Sequence, residues 1–357
     1  LCRPLPSSSL TQPHTRTSTM GNGFSVAAIP QWYVQWGKYY GKNGFLMASQ
    51  SKAWDTTDLK DLAGKIMVIT GANSGIGLEV SKELARRKAS VHMLCRNLER
   101  GEAAKKDVME VSGNKEVFLH VVDVADSDSV RSFCKSFLQS YDKVDVLVNN
   151  AGILATGRHE SDQGVESCFA TAMGGTVLLS GLLLPALKKA APSVVINVSS
   201  AGMFLSKCDV SDLNMMKRKK YDGMLQYSRV KRAQVELSEI WAEKLKDTGV
   251  CVHAMHPGYA VTPGVQTLPG LSDGKPGGFF EEHGPKLRSA AEGADTIVWL
   301  ASAPKARECA GLLWFDRRTW SPHFTLAGTS LAHKERDALW EGSLKLMGAT
   351  WVDGAMQ

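Results

Sequence analysis

Tyr227 and Lys231 stand four residues apart in Tyr227-Ser228-Arg229-Val230-Lys231, a spacing that puts both side chains on one face of a helix. A phenol with its ordinary pKa of about 10 exchanges protons poorly at neutral pH, and a neighbouring ammonium lowers that value by favouring the phenolate. The pair therefore suits acid–base chemistry on a substrate oxygen. Tyr-x-x-x-Lys alone is common on protein surfaces. Its weight here comes from position, because it follows an apolar run that ends in Asn197-Val198-Ser199-Ser200. The Ser200 hydroxyl can hold a substrate oxygen beside the phenol.

A second chemical feature lies upstream. The run Ile66–Thr70 leads straight into Thr70-Gly71-Ala72-Asn73-Ser74-Gly75-Ile76-Gly77, after which Ile76, Val80 and Leu84 recur at helical spacing. Glycines at 71, 75 and 77 permit a tight turn, close approach of backbone to a pyrophosphate, and close packing of helix on strand. The helix N-terminus adds unpaired N–H groups and positive potential. About 20 residues on, where a carboxylate would meet the 2′-hydroxyl of NAD, the sequence reads Cys95-Arg96-Asn97. Arg96 can pair with a 2′-phosphate that a carboxylate would repel, so the expected cofactor is NADP(H).

With these motifs in place the sequence resembles the short-chain dehydrogenase/reductase family from about Leu62 to Arg318. The matching motifs are TGANSGIG at Thr70–Gly77, DVAD at Asp123–Asp126, NNAG at Asn149–Gly152, VSS at Val198–Ser200, YSRVK at Tyr227–Lys231 and HPG at His256–Gly258. The resemblance implies a nicotinamide-dependent hydride transfer in which Tyr227 is the acid–base. Lys231 lowers its pKa and holds the nicotinamide ribose, while Ser200 orients the reacting oxygen. It also implies cofactor contacts from Gly71, Asn73, Ser74, Gly75, Ile76 and Gly77, from Asp123 at the adenine, and from Asn149, Ala151 and Gly152 near the ribose. Pro257, Gly258 and Thr262 would lie on the nicotinamide side. The long insert between Ser200 and Tyr227 looks like the family's retinol-dehydrogenase-like branch. Finer features, His256–Val265, Leu287–Ala301 and FDRR at Phe315–Arg318, look closest to one group inside that branch whose substrate is undefined. One position departs from the pattern. Ala172 stands where the family usually has an asparagine, which puts the proton relay in question and leaves cofactor binding untouched.

These side chains need elements to carry them. Short runs rich in branched residues, Ile66–Thr70, Val91–Cys95, Val117–Asp123, Val144–Asn149, Val194–Ser199 and Val250–Met255, alternate with stretches long enough for helices. Repeated strand–helix alternation predicts an α/β fold, a doubly wound parallel sheet of Rossmann type in a single domain. We assign that domain to residues 61–320. Residues 1–30 read as a disordered or targeting segment, 31–60 as an aromatic and basic helical extension, and 321–357 as a C-terminal extension with a short amphipathic helix.

In the extension, Trp32, Trp36 and Tyr39/Tyr40 fit one helical face. A helix packed on the main domain explains this most simply, and a segment lying on a membrane surface is the alternative. No acidic residue precedes Asp55. The polar leader fits an upstream fragment, a precursor remnant or a transit peptide. Met20-Gly21-Asn22-Gly23-Phe24-Ser25 matches the myristoylation pattern if Met20 is the start.

The chain has 357 residues, 43% of them hydrophobic, and a formal charge of +6. Its only dense basic run is Lys217–Lys220, which argues against a nucleic-acid partner. The seven cysteines lack zinc-ligand or Cys-x-x-Cys spacing, so no metal is expected and the thiols read as those of an intracellular enzyme. No apolar stretch reaches the length of a membrane span. The expected partner is a small carbonyl or alcohol, apolar in character; membrane-surface contact and homo-oligomerisation are both compatible with the sequence. Two rival functions are an idle NADP(H)-binding or scaffold protein, motivated by Ala172, and a membrane-surface protein, motivated by the aromatic segment.

Overall fold

A computed structural model describes residues 23–56, 61–262 and 286–357. The leader up to residue 22 with the start of the acylation pattern, and most of the Val261–Leu287 loop, lie outside the described residues.

The order of elements begins with α1 (Ala28–Gln35), a π-helical turn (Trp36–Tyr40) and α2 (Lys42–Ser49). Alternation then sets in with β1 (Ile66–Thr70), α3 (Gly75–Arg86), β2 (Ser90–Cys95), α4 (Leu98–Ser112), β3 (Val117–Val121), α5 (Ser127–Ser140) and β4 (Val146–Asn149). Next come α6 (Ser167–Met173), a second π-helical turn (Gly174–Leu179), α7 (Ser180–Leu182), α8 (Leu184–Lys189), β5 (Ser193–Val198), α9 (Gly223–Lys244) and β6 (Val250–Met255). The described chain closes with α10 (Ala290–Ser302), β7 (Leu313–Phe315), β8 (Arg318–Trp320), α11 (His333–Leu346), β9 (Trp351–Val352) and β10 (Ala355–Met356).

Sequence chemistry sets several helix starts. Asn97 accepts the Arg100 N–H at the head of α4, Asp222 accepts the Leu225 N–H at the head of α9, and Ser289 with Glu292 closes a reciprocal capping box on α10. Each satisfies a backbone donor that the first turn leaves unpaired.

The main sheet runs in the order β3-β2-β1-β4-β5-β6-β7-β8. All pairings are parallel except β7 with β8. Both faces are covered, and the period-two alternation of strands divides the core. Met67 and Ile69 of β1 join Val146, Val148, Val194 and Ile196 on the face covered by α3 and α10. Val68, Leu147 and Val195 point the other way, into the cluster with α5, α6 and α9. Strand order reverses between β1 and β4, so a crevice opens at their carboxyl ends, the usual ligand position in such sheets.

The β7–β8 pair was not anticipated. Each strand has three residues, and the two-residue turn between them puts Asp316 at φ 51° and Arg317 at φ 56°. That is the geometry for which Asn-Gly is the usual signal. Here ion pairs hold it instead, Asp316 to Arg288 and Arg317 to Asp295.

The ordered extension begins earlier than the boundary of 30 drawn from composition. The Ser25 N–H donates to the Leu205 carbonyl at 2.9 Å, and α1 starts at Ala28. Trp32, Trp36 and Tyr39 pack on a third cluster that includes Phe204, Leu313, Phe315 and Phe324. The aromatic face is thus a packing face. Tyr33 and Val34 on the other side are exposed. At the far end, α11 sets Trp340 edge-on against Trp241 of α9, centroids 4.9 Å apart. Among the described residues no helix is long and apolar enough to cross a membrane.

Candidate active site

The loop after β1 and the start of the loop after β4 are tied to each other. Thr70 Oγ1 accepts the N–H groups of Asn150 at 3.0 Å and Ala151 at 2.9 Å, and the Asn150 amide donates to the Thr70 carbonyl at 2.9 Å. Gly71 sits at φ 63° and Gly75 at φ 55°, where side chains with a Cβ are strained. A Cβ on Gly77 would lie 2.4 Å from the Gly71 carbonyl oxygen. Ser74 precedes α3 in extended backbone without a side-chain cap, which leaves the first-turn N–H groups of that helix for an anion. This cradle, in which added carbon atoms would collide, fits a dinucleotide pyrophosphate. Asn73 and Ile76 line it half-buried.

Arg96 is exposed at the carboxyl end of β2, and among the described residues no carboxylate forms an ion pair with it. Asp123 follows β3, half-buried, its carboxylate accepting the Ala125 N–H at 2.9 Å. On the opposite side, Gly258 adopts φ 76°, and a Cβ there would lie 2.5 Å from Arg288 Nε and 2.7 Å from the Tyr40 carbonyl oxygen. Pro257 is half-buried beside it, and Thr262 ends the described part of that loop.

Between these flanks, α9 and the end of β5 bring Tyr227, Lys231 and Ser200 together. Ser200 lies near enough to the Tyr227 phenol to act on its pKa, its own hydroxyl accepting the Gly202 N–H at 3.3 Å, and the Lys231 ammonium stands 5.6 Å from the centroid of the Tyr227 ring. Burial pushes the Tyr227 phenol up to about 12, with the neighbouring Ser200 hydroxyl acting downward. Burial also holds Lys231 down at about 8. The acidification expected from the ammonium is therefore not seen at this geometry: desolvation of the phenolate governs the phenol, and the downward influence comes from Ser200. Lys231 Nζ donates to the Val198 carbonyl and to Gln234 Oε1, both at 2.8 Å. Gly152 is pressed against it, since a Cβ there would lie 3.2 Å from Nζ.

Asn149 behaves differently from the expectation of a ribose contact. Its side chain is buried, donating to Ser180 Oγ at 2.9 Å and Asn197 Oδ1 at 2.8 Å, so any contact of this residue with a cofactor would have to use its backbone. Gly175 is required beside it, because a Cβ there would lie 2.9 Å from Asn149 Oδ1. Ala172 is buried at the end of α6 and offers no polar group.

Three supporting residues escaped the sequence reading. Glu166, fully buried, caps α6 through the N–H groups of Cys168 and Phe169. It also accepts from the Tyr221 hydroxyl and the Gln226 amide, each at 2.9 Å, which pins the insert before Tyr227. Gln234 and Thr176 bond to each other at 2.9 Å behind Lys231. Local sequence patterns give no hint of such links, which join segments distant in sequence.

Comparison with known proteins agrees with this geometry. Residues 65–269 match the family model described as short chain dehydrogenase. The chain is 37% identical over 312 residues to Dehydrogenase/reductase SDR family member 12 of Bos taurus, covering 87% of this chain and 94% of that protein. It is 32% identical over 297 residues to Retinol dehydrogenase 12 of Mus musculus, covering 83% and 90% respectively. Its fold is similar to that of an uncharacterized protein from Mycobacterium paratuberculosis, with a TM-score of 0.64 at 28% identity over 83% of this chain and 97% of that one. The branch suggested by the insert, and the group inside it suggested by the finer motifs, are both represented among these relatives. With its glycine cradle, its Ser-Tyr-Lys cluster and these relatives, the chain belongs to the short-chain dehydrogenase/reductase family of oxidoreductases.

Proposed function

We propose that this protein is an NADP(H)-dependent oxidoreductase that interconverts a carbonyl and an alcohol on an apolar small molecule. The observation that carries the reading is the convergence of Ser200, Tyr227 and Lys231, with Ser200 near enough to act on the Tyr227 phenol and the Lys231 ammonium 5.6 Å from its ring centroid. When bound, NADP(H) supplies or accepts the hydride. Arg96 pairs with its 2′-phosphate and the α3 N-terminus with its pyrophosphate. Ser200 holds the substrate oxygen, and Tyr227 donates the proton in the reductive direction and takes it back in the oxidative one. Lys231 keeps one donor for the ribose and places a positive charge near the phenol as the oxygen's charge changes.

The apolar character of the substrate is supported by the wall opposite the cradle. Tyr259, close enough to Tyr227 to push its pKa upward, is met edge-on by Trp32 and Trp36 of the extension at 6.1 and 6.2 Å. A half-buried aromatic surface beside two polar anchors suits a hydrophobic carbonyl compound. A screen of hydrophobic aldehydes, ketones and alcohols with NADPH and NADP⁺ tests the reading. Turnover of members of that set supports it, and NADPH binding without turnover across the whole set favours an idle binder.

A further inference from the structure

Lys231 sits at the centre of the site, and among the described residues no carboxylate pairs with it. The residue is 4% exposed, and its ammonium has three donors and no acceptor. Two donors are fixed, one on the Val198 carbonyl of β5 and one on Gln234 Oε1 one turn further along α9. Tyr227, Lys231 and Gln234 therefore follow each other at i, i+4 and i+7 on one helical face. The orientation of the Gln234 amide is decided by its two neighbours. An ammonium can only donate, so the amide oxygen must face Lys231, and the amide nitrogen then points at Thr176 Oγ1, 2.9 Å away. Thr176 lies in the π-helical turn that follows Ala172. It is itself fixed by the Trp241 indole, which donates to its carbonyl at 2.8 Å.

We propose that Gln234 is the positioning residue of Lys231, a neutral clamp that occupies one ammonium donor, is locked by Thr176, and leaves a single donor aimed at the ribose and phenol side. The proposal rests on the functional reading above. It also says what replaces a polar side chain at position 172, since the second anchor of the site comes from Thr176 across the π turn. Gln234, Thr176, Ser180, Asn149, Asn197 and Ser238 are all buried. The network therefore ends inside the protein, which makes it a clamp and not a wire to solvent. Around Lys231 the facing titratable groups are Tyr227 on its own helix and Cys168 from α6, whose thiol burial pushes up and keeps protonated. A neutral clamp leaves the ammonium opposed by desolvation and so easily deprotonated near pH 8.

The test is the pH dependence of NADPH binding, read from the fluorescence of the reduced nicotinamide, in wild type, Gln234→Glu and Gln234→Leu. Circular dichroism checks that each variant is folded. In the wild type the dissociation constant is expected to rise as pH passes the Lys231 pKa of about 8. Gln234→Glu, nearly isosteric, puts a carboxylate on the ammonium and should move that limb up by at least about one pH unit. Gln234→Leu removes an acceptor from a buried charge, and should move the limb down and weaken binding about tenfold at neutral pH. A purely structural glutamine would not move the limb in opposite directions. Carbon-13 NMR of labelled lysines, with Lys231 assigned by its loss in Lys231→Ala, reads the same titration without any cofactor. Wild-type failure to bind NADPH would overturn the cofactor reading while the NMR titration still decides the clamp. An unmoved Lys231 titration in folded Gln234→Glu overturns the clamp itself.

Discussion

The indole of Trp32 donates a hydrogen bond to the carbonyl of Ala201 at 3.2 Å, one residue beyond Ser200. The N-terminal extension is thereby fastened to the strand end that carries Ser200, the proposed anchor of the substrate oxygen. A second fastening joins it to the loop on the far side of Tyr227, where the Tyr259 N–H donates to the Tyr40 carbonyl at 2.8 Å and Arg288 donates to the carbonyls of Tyr39 and Tyr40. An extension tied to both flanks of the proposed site is placed to act on what enters it. Trp32→Leu should raise KM for a hydrophobic aldehyde about threefold to tenfold, the range an aromatic contact is worth, and leave the NADPH dissociation constant within error. Equal KM values in the two proteins would mean that the wall does not touch substrate.

Arg96 sets cofactor choice in this account. NADPH should bind at least about tenfold more tightly than NADH, in line with a charge-assisted pair. Arg96→Asp should reverse the order, because its carboxylate repels the 2′-phosphate and accepts from a 2′-hydroxyl. Titration of the wild type showing NADH as the tighter ligand would refute the assignment.

On the proposed mechanism, Ala172 leaves proton supply as the weak step, because the residues behind Lys231 are buried. Ala172→Asn should raise kcat and lower the solvent isotope effect without shifting NADPH affinity. The larger side chain enters a closed core, so a loss of about 1–3 kcal/mol in stability is expected alongside. A kcat that stays the same in folded, active variant would show that protons reach Tyr227 by another path.

Much of this was legible in the sequence, and the failures have physical causes. The bounds of β1 and β6 match the apolar runs because buried parallel strands read as continuous branched residues. Gly71, Gly75 and Gly77 were readable for a related reason, since left-handed backbone at the first two and a backbone collision at the third disfavour every other residue type. The β7–β8 turn was hidden because Asp316 and Arg317 hold left-handed conformations through ion pairs with residues 28 and 22 positions away. Gln234 was hidden because its meaning comes from a contact with Thr176, 58 positions away. The interior role of the Asn149 side chain was not legible, because a polar side chain in a cofactor motif can be spent on the interior as readily as on a ligand.

His92 and His120 make stability sensitive to acid. Their rings bond at 3.0 Å in a cluster with Phe118, Phe133 and Phe137. Burial holds His92 at about 3 and His120 at about 4. Both values lie below the unfolded value of about 6.5, so the unfolded chain binds more protons at intermediate pH. The stability from these neutral rings is complete above about pH 6.5 and is lost progressively as pH falls toward the folded values. The urea midpoint should therefore drop between about pH 7 and about pH 5, and drop less in His92→Phe. Some slope should remain, since His253, His256 and His323 are also buried with lowered pKa. An identical drop in His92→Phe would remove this pair from the explanation.

Tyr227 carries the chemistry proposed above, and one isotope experiment examines it. A hydrophobic aldehyde from the screen is incubated with NADPH deuterated at its transferable position, using wild type and Tyr227→Phe, and the alcohol is analysed by mass spectrometry. The wild type should deliver one deuterium to the carbinol carbon. Tyr227→Phe should do so about 10²–10⁴-fold more slowly, the usual contribution of a positioned acid–base group, with NADPH affinity nearly unchanged. An alcohol formed without deuterium, or a Tyr227→Phe rate above about a tenth of wild type, would contradict hydride transfer assisted by Tyr227.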